Sequence, residues 1–237
     1  MKPNRQATRH AKKKRIETGG YAIDQCALYK LGAKSRLARL LGFNLSRLIE
    51  LSESASNYKR FKLPETICPF IGKVVKARWV QEPKTELRAI HERLRSLLSR
   101  VSTPEYAHGA IAGRSYRSNA EAHIRASRAA TFDIKSFYQS TGASRVFEYF
   151  SNELQCAPDV AAMLTRLSCV DNCLPTGSPL SPILSLRANK PMFDSLNKLA
   201  SNHRLVFTCY IDDLAFSGSS ISPSLASLVK TVVENNK

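Results

Sequence analysis

Three acidic side chains hold the best prospect for chemistry in this 237-residue chain. Asp212 and Asp213 are adjacent, between the apolar runs Leu205-Val-Phe-Thr-Cys-Tyr-Ile211 and Leu214-Ala-Phe-Ser217, and Asp133 ends a third such run, Ala129-Ala-Thr-Phe-Asp133. Neighbouring anions repel and bind water strongly, so a simple turn between two strands is better served by Asn-Gly or Asp-Gly. One reading of the pair is a solvated acidic turn. The other is a cation site, because carboxylates delivered on strand ends can hold two hard divalent ions such as Mg2+, which take oxygen ligands.

The elements that must position these acids are readable from the pattern. Residues 205–217 form a β-hairpin with the acids at its tip, and 129–134 form a short strand. Leu37, Leu40, Leu41, Leu45 and Leu48 recur at helical spacing, predicting an amphipathic helix or a pair broken near Gly42. Leu87, Ile90, Leu94, Leu97, Leu98 and Val101 predict a helix over 84–101, and a similar pattern from Val146 to Leu167 predicts helix over 143–168. Val and Trp residues around Gly72 suggest a hairpin within 58–82 that carries Lys73, Lys76 and Arg78. Residues 103–123 include a loop whose glycines permit close backbone approach. Pro179 and Pro182 open a helix that Pro191 should kink or split. A last helix is expected over 225–233.

Composition narrows the class. The 43% apolar content is globular. Apolar runs fall well short of the ~20 residues that cross a bilayer, and the basic N-terminus is not followed by a signal-peptide core. The expectation is therefore a cytoplasmic protein with no membrane partner. Six cysteines without a Cys-x-x-Cys pair read as reduced, buried thiols. Charge is lopsided: residues 1–130 hold 27 Lys and Arg against 10 Asp and Glu, whereas 131–237 hold 9 of each. Such a basic half suits a phosphate backbone. Arg114 and Arg117 bracket a tyrosine, a mix suited to phosphate contact and base stacking.

Four motifs, in order, give the chain a resemblance. Tyr210-Ile-Asp-Asp213 resembles the Tyr-x-Asp-Asp motif of reverse transcriptases, and its continuation Leu-Ala-Phe-Ser-Gly218 is similar to the retron type. Asp133-Ile-Lys-Ser-Phe-Tyr138 resembles the first palm aspartate motif, Leu174-Pro-Thr-Gly-Ser-Pro-Leu-Ser-Pro182 the Leu-Pro-Gln-Gly-x-x-x-Ser-Pro motif, and Asn119-Ala-Glu-Ala-His123 an Asn-Ala-x-x-His motif of retron enzymes. The resemblance covers roughly residues 58–237.

It implies an α+β right-hand polymerase with fingers and a palm, the palm built on an antiparallel sheet with a catalytic β-hairpin. The divisions expected are a basic flexible arm at 1–20, helices and fingers at 21–130, the first palm strand at 131–142, a helical insertion at 143–176, and the rest of the palm at 177–237, with the thumb missing after the final helix. By resemblance Asp133, Asp212 and Asp213 are catalytic and, with the carbonyl of Ile134, bind two Mg2+ ions. Arg78, Phe137, Tyr138, Thr176 and Gly177 contact the incoming dNTP, with Tyr138 as a steric gate against a 2′-hydroxyl. Arg114, Arg117, Asn119 and His123 contact RNA, the last two with a scaffold role as the alternative. The implied partners are a structured noncoding RNA serving as template and primer, its DNA product, and a retron effector protein. Priming from a 2′-hydroxyl to give linked RNA–DNA is implied by resemblance alone.

The chain departs from the pattern at two positions. Thr176 stands where the family has Gln, and Ser136 where retrons commonly have an acid. The expectation is weak or no processive synthesis from these residues alone. Two readings stand beside the enzyme: an RNA-binding fragment with weak or no catalysis, and another prokaryotic reverse transcriptase of intron or defence-associated type.

Overall fold

The computed structural model describes residues 20–67, 72 and 74–236. The arm expected at 1–20 therefore lies outside the described residues except for Gly20, and so does Lys73. Helix α1 (Lys34–Leu41) and helix α2 (Leu45–Glu53) form the predicted pair. Gly42 parts them at φ 80°, a left-handed cap that glycine adopts without a Cβ penalty. Asn44 then starts α2 by accepting the Arg47 amide at 2.7 Å.

Strand β1 (Tyr58–Leu63) pairs antiparallel with β4 (Arg78–Pro83), from Tyr58↔Pro83 to Leu63↔Arg78. Nested inside them, β2 (Thr66–Ile67) pairs with β3 (Val74–Val75). This is the hairpin expected around Gly72. Of its two longer strands only Val80 and Pro83 are buried, and Trp79 remains 63% exposed.

Helix α3 (Thr85–Leu98) buries the predicted stripe of Leu87, Ile90, Leu94, Leu97 and Leu98. Against it pack α7 (Pro158–Ser168) and α8 (Ser181–Ala188), with α6 (Ala143–Glu148) behind both and α9 (Lys190–Asn202) against α8. Full burial of side chains such as Phe150, Leu94 and Leu164 stabilises the fold by about 1.5–3 kcal/mol each. Buried Arg187 ties α8 to the end of α3, donating to the carbonyls of Ser102 at 2.7 Å and Val101 at 2.5 Å. There the helix dipole offsets part of the cost of burying a cation.

One expectation needs correction. Residues 143–168 are not one helix: α6 runs into a single π-helical turn at Tyr149–Glu153, the chain breaks at Gln155 (φ 52°), and Pro158 opens α7 in its first turn. The region 103–123 includes, beside its loop, a short helix, α4 (Tyr116–Glu121), begun by a capping box between Ser115 and Ser118. Pro191 acts as expected, falling in the first turn of α9 after α8 has stopped at Ala188.

A three-stranded sheet has the order β5-β7-β6, all antiparallel: β5 (Arg128–Asp133), β7 (Asp213–Gly218) and β6 (Val206–Tyr210). Because side chains alternate along a strand, register assigns its two faces. Phe132, Leu214 and Cys209 share one face with Ala130, Phe216 and Phe207. That face joins the core through ring contacts, 4.9 Å between Phe207 and Phe216 and 5.8 Å between Phe132 and Phe216. The opposite face carries Thr131, Ala215, Thr208, Asp133, Asp213 and Tyr210. Helix α10 (Leu225–Glu234) closes the described chain, burying Leu225 and Val229. The architecture is α+β, and among the described residues no helix is long and apolar enough to cross a membrane.

Candidate active site

Pairing brings the three acids to one end of the sheet. Tyr210 pairs with Asp213, so only Ile211 and Asp212 form the turn between β6 and β7. Asp133 pairs with Asp213 across β5 and β7, where opposed Cα atoms lie about 4.5–5.5 Å apart. The Ile134 amide donates to the Asp212 carbonyl at 3.1 Å, tying the first motif to the hairpin tip.

Ile211 sits at φ 61° while Asp212 has negative φ, the pattern of a turn whose first central position favours glycine. A β-branched residue there is strained by about 1–3 kcal/mol. The surrounding chain holds it in place. Cys209 donates to the Tyr106 carbonyl and the His108 amide donates to the Cys209 carbonyl, each at 2.8 Å. Gly109 then lies so close that a Cβ on it would come within 2.6 Å of the Ile211 amide nitrogen.

Asp133 and Asp213 are exposed and Asp212 is half-buried. Burial pushes the Asp212 carboxyl above the usual carboxylate range. Its own backbone N–H draws it down, and the charges of Asp213 and Asp133 push it up again. Among the described residues none of the three has a salt-bridge partner. Three crowded carboxylates without a counter-charge are the donor chemistry of a hard divalent cation. Still, among the described residues no three His, Cys, Asp or Glu side chains converge on one ion position. The acids are neighbours, without the closed cage of a structural metal site.

Helix α5 (Phe137–Ser140) begins after Ser136, itself at φ 54°. Phe137, expected at the nucleotide, is only 4% exposed and packs edge-on against Phe193 at 6.0 Å, so its ring belongs to the core. Tyr138 beside it is half-buried. Burial pushes its phenol up to about 12, helped by the charge of Asp212 and opposed by that of Arg78. Tyr138 therefore lies within electrostatic reach of both Asp212 and Arg78. Arg78 itself is exposed, at the first position of β4.

The Leu174–Ser178 turn lies between β4 and α3. The Gly177 amide donates to the Gln81 carbonyl at 3.1 Å, and a Cβ on Gly177 would come within 2.7 Å of that oxygen. The close approach that glycine allows here is to β4. Thr176 is also engaged there: its hydroxyl lies 3.2 Å from the Trp79 carbonyl and 3.2 Å from the Gln81 side-chain oxygen, and accepts the Gln81 amide at 3.4 Å. On the other side, fully buried His91 of α3 contacts Ser178 Oγ at 2.6 Å and the Leu167 carbonyl at 2.7 Å. A carbonyl only accepts, so Nε2 carries the proton and Ser178 donates to Nδ1. Burial holds His91 neutral, lowering it to about 4.

The residues expected at RNA lie against the acid-bearing face of the sheet and beside its β6 edge. His123 engages Ser217 Oγ at 2.6 Å and Thr208 Oγ1 at 2.7 Å, bridging β7 and β6. One Arg114 nitrogen donates to the carbonyls of Pro104, Glu105 and Ala107. The Asn119 side-chain oxygen is buried without a partner. Arg117 is exposed, with Glu121 one turn away at 2.9 Å, and Tyr116 is exposed beside it. Arg114 and His123 thus spend their hydrogen bonds within the fold, and Arg117 with Tyr116 presents free surface.

Sequence reasoning missed Gln81, His91 and Gly109. His91 falls on the apolar stripe of α3, the signal of a satisfied core histidine. Gln81 and Gly109 carried none, since each acts through a contact distant in sequence.

Residues 71–236 match the family model described as reverse transcriptase (RNA-dependent DNA polymerase). The chain is 34% identical over 203 residues to the retron Se72 reverse transcriptase of Salmonella heidelberg (strain 579083-10), an alignment covering 83% of this chain and 50% of that one. Identity to the retron Ec86 reverse transcriptase of Escherichia coli is 30% over 151 residues (63% and 47% covered), and to the retron Mx162 reverse transcriptase of Myxococcus xanthus 27% over 213 residues (80% and 42%). The chain thus spans about half the length of the curated relatives it matches. With the motifs in order and the acids at one sheet end, the chain belongs to the reverse transcriptase family, among its retron-type members.

Proposed function

We propose that this chain carries the catalytic centre of an RNA-directed DNA polymerase that copies a structured noncoding RNA. The observation that supports this most is the pairing of Asp133 with Asp213 at the sheet end where Asp212 forms the turn. In this reading the β5-β7-β6 sheet is the palm (131–142 with 177–237), the β1–β4 hairpin belongs to the fingers (within 21–130), and 143–176 is the helical insertion. A primer hydroxyl attacks the α-phosphate of a dNTP and pyrophosphate leaves.

Two Mg2+ ions bound at Asp133, Asp212, Asp213 and the Ile134 carbonyl would lower the pKa of the attacking hydroxyl and neutralise the leaving oxygens. Arg78 forks its guanidinium onto the triphosphate, a geometry that suits phosphate oxygens. Tyr138, braced by Phe137, sets its ring beneath the sugar and leaves no room for a 2′-hydroxyl. Arg117 and Tyr116 meet the RNA, while Arg114, Asn119 and His123 hold the scaffold beneath them. A retron effector protein and the DNA product complete the expected partners, in the cytoplasm.

The test is primer extension on an RNA template with dNTPs and Mg2+. Asp212→Asn should abolish extension and leave RNA binding intact. The basic first half alone would serve an RNA binder without catalysis, and wild-type chain that binds RNA but never extends a primer would favour that reading.

A further inference from the structure

Thr176 occupies an unusual position for a residue expected to touch substrate. Its main-chain amide points to the Gln81 side-chain oxygen at 3.4 Å, and its hydroxyl serves the backbone of β4 at both Trp79 and Gln81. Gly177 adds a main-chain bond to the Gln81 carbonyl at 3.1 Å. Ser178, next along, is held by His91 of α3 at 2.6 Å. Three consecutive residues of the turn therefore fasten two different elements. A long Gln side chain at 176 could not make this short contact with an adjacent strand edge, whereas a β-branched hydroxyl can reach a carbonyl and an amide at once.

The strand fastened this way is the one that begins with Arg78. Its remaining pairing is with β1, whose side chains are mostly exposed. Besides chain continuity into α3, the burial of Val80 and Pro83 and the Glu82–Arg88 ion pair, bonds to the turn set β4 against the body of the protein. Arg78 lies three residues before Gln81 on the same strand, and its charge reaches Tyr138. We propose that Thr176 is a positioning residue: with Gln81 it latches β4 to the Leu174–Ser178 turn and so fixes Arg78 within reach of Tyr138. The inference rests on the polymerase reading for its kinetic consequence, but the latch itself is a property of the fold.

The experiment compares Thr176→Val, which keeps the shape and loses the hydroxyl, with Thr176→Ser, which restores it, and with Gln81→Leu. Trp79, the chain's single tryptophan, borders the latch and reports on it without any substrate. Thr176→Val should shift Trp79 emission and anisotropy and speed amide exchange at Gly177, and Thr176→Ser should restore both. In primer extension, Thr176→Val should raise the dNTP KM by about 3–10-fold, the equivalent of one ordinary hydrogen bond, with a smaller change in kcat. Gln81→Leu should act in the same direction, and the double variant should fall short of the product of the two single effects. Unchanged Trp79 signals and Gly177 exchange in Thr176→Val would overturn the latch. A KM that rises equally in Thr176→Ser, or effects that multiply, would overturn the positioning role in favour of direct contact. If the optical and exchange signals respond as expected while wild-type chain shows no extension, the latch stands and the polymerase reading fails.

Discussion

The three-stranded sheet and the β1–β4 hairpin are built to opposite plans. The β5-β7-β6 sheet buries one face in the core through Phe132, Phe207 and Phe216, and His123 braces its far end from the other side. The β1–β4 hairpin keeps most of its side chains in water and is joined to the body by polar bonds at Thr176 and Gly177 and by an exposed ion pair between Arg60 and Asp171. Burial gives tens of small contacts that fail together, whereas a few hydrogen bonds worth about 1 kcal/mol each can be broken singly. The acids proposed to hold a fixed geometry sit on the three-stranded sheet. Arg78, proposed to meet a substrate that arrives and leaves, sits on the hairpin.

Variants can break that contrast. The largest effect is expected at the sheet tip. Asp212→Asn should lower extension about a thousandfold, the several kcal/mol that metal-assisted charge stabilisation supplies. Yet it should raise the melting temperature of the metal-free chain at neutral pH. The sign follows from the raised carboxyl of Asp212: the fold favours its protonated form, so ionisation costs stability as pH climbs past the folded-state value. Calorimetry of both forms at neutral pH checks this, and a lower melting temperature for the variant would contradict it.

Gly109→Ala comes next. Its Cβ would strike the backbone of Ile211, displacing the tip while the sheet persists. A misplacement of about 1 Å is enough to cost on the order of a hundredfold in kcat, measured beside an unchanged circular dichroism spectrum. At the junction between the two plans, His91→Leu takes the acceptor from the Ser178 hydroxyl and the donor from the Leu167 carbonyl, for a loss of about 1–3 kcal/mol in urea unfolding. The neutral histidine has its own acid signature. Since its pKa falls from 6.5 to about 4 on folding, stability that is complete above 6.5 should drain away towards 4, and His91→Leu should flatten this slope. Smallest of all, Arg117→Ala removes an exposed pair with Glu121 and should change stability by less than about 0.5 kcal/mol. It should weaken RNA binding a few-fold and reduce the salt dependence by about 0.7–0.9 in slope.

Much of this was legible before any coordinates. Hairpin, strand and acids follow from alternation around Asp212-Asp213 and from the run ending at Asp133, because a two-residue period leaves few ways to pair such segments. The stripe of α3 was equally plain. What escaped depends on contacts between distant residues. Phe137 looked like a nucleotide residue by its place in a motif, but one position along a short helix turns a ring from cleft to core. Gly177 was read as a point of close approach to nucleotide or template, and only the fold shows that β4 lies against it. Arg114 carries the same guanidinium as Arg117, and nothing local reveals that one is consumed by three carbonyls.

The left-handed isoleucine at the tip has a consequence for anyone wishing to move this hairpin elsewhere. Ile211 keeps its conformation because Gly109 crowds it and the Tyr106–His108 segment lies alongside. Grafted into another scaffold without that buttress, residues 205–217 would relax to a commoner loop and let the two carboxylates drift apart. The smallest transplantable unit is therefore discontinuous, a hairpin plus a four-residue strut that precedes it by about a hundred positions in the chain.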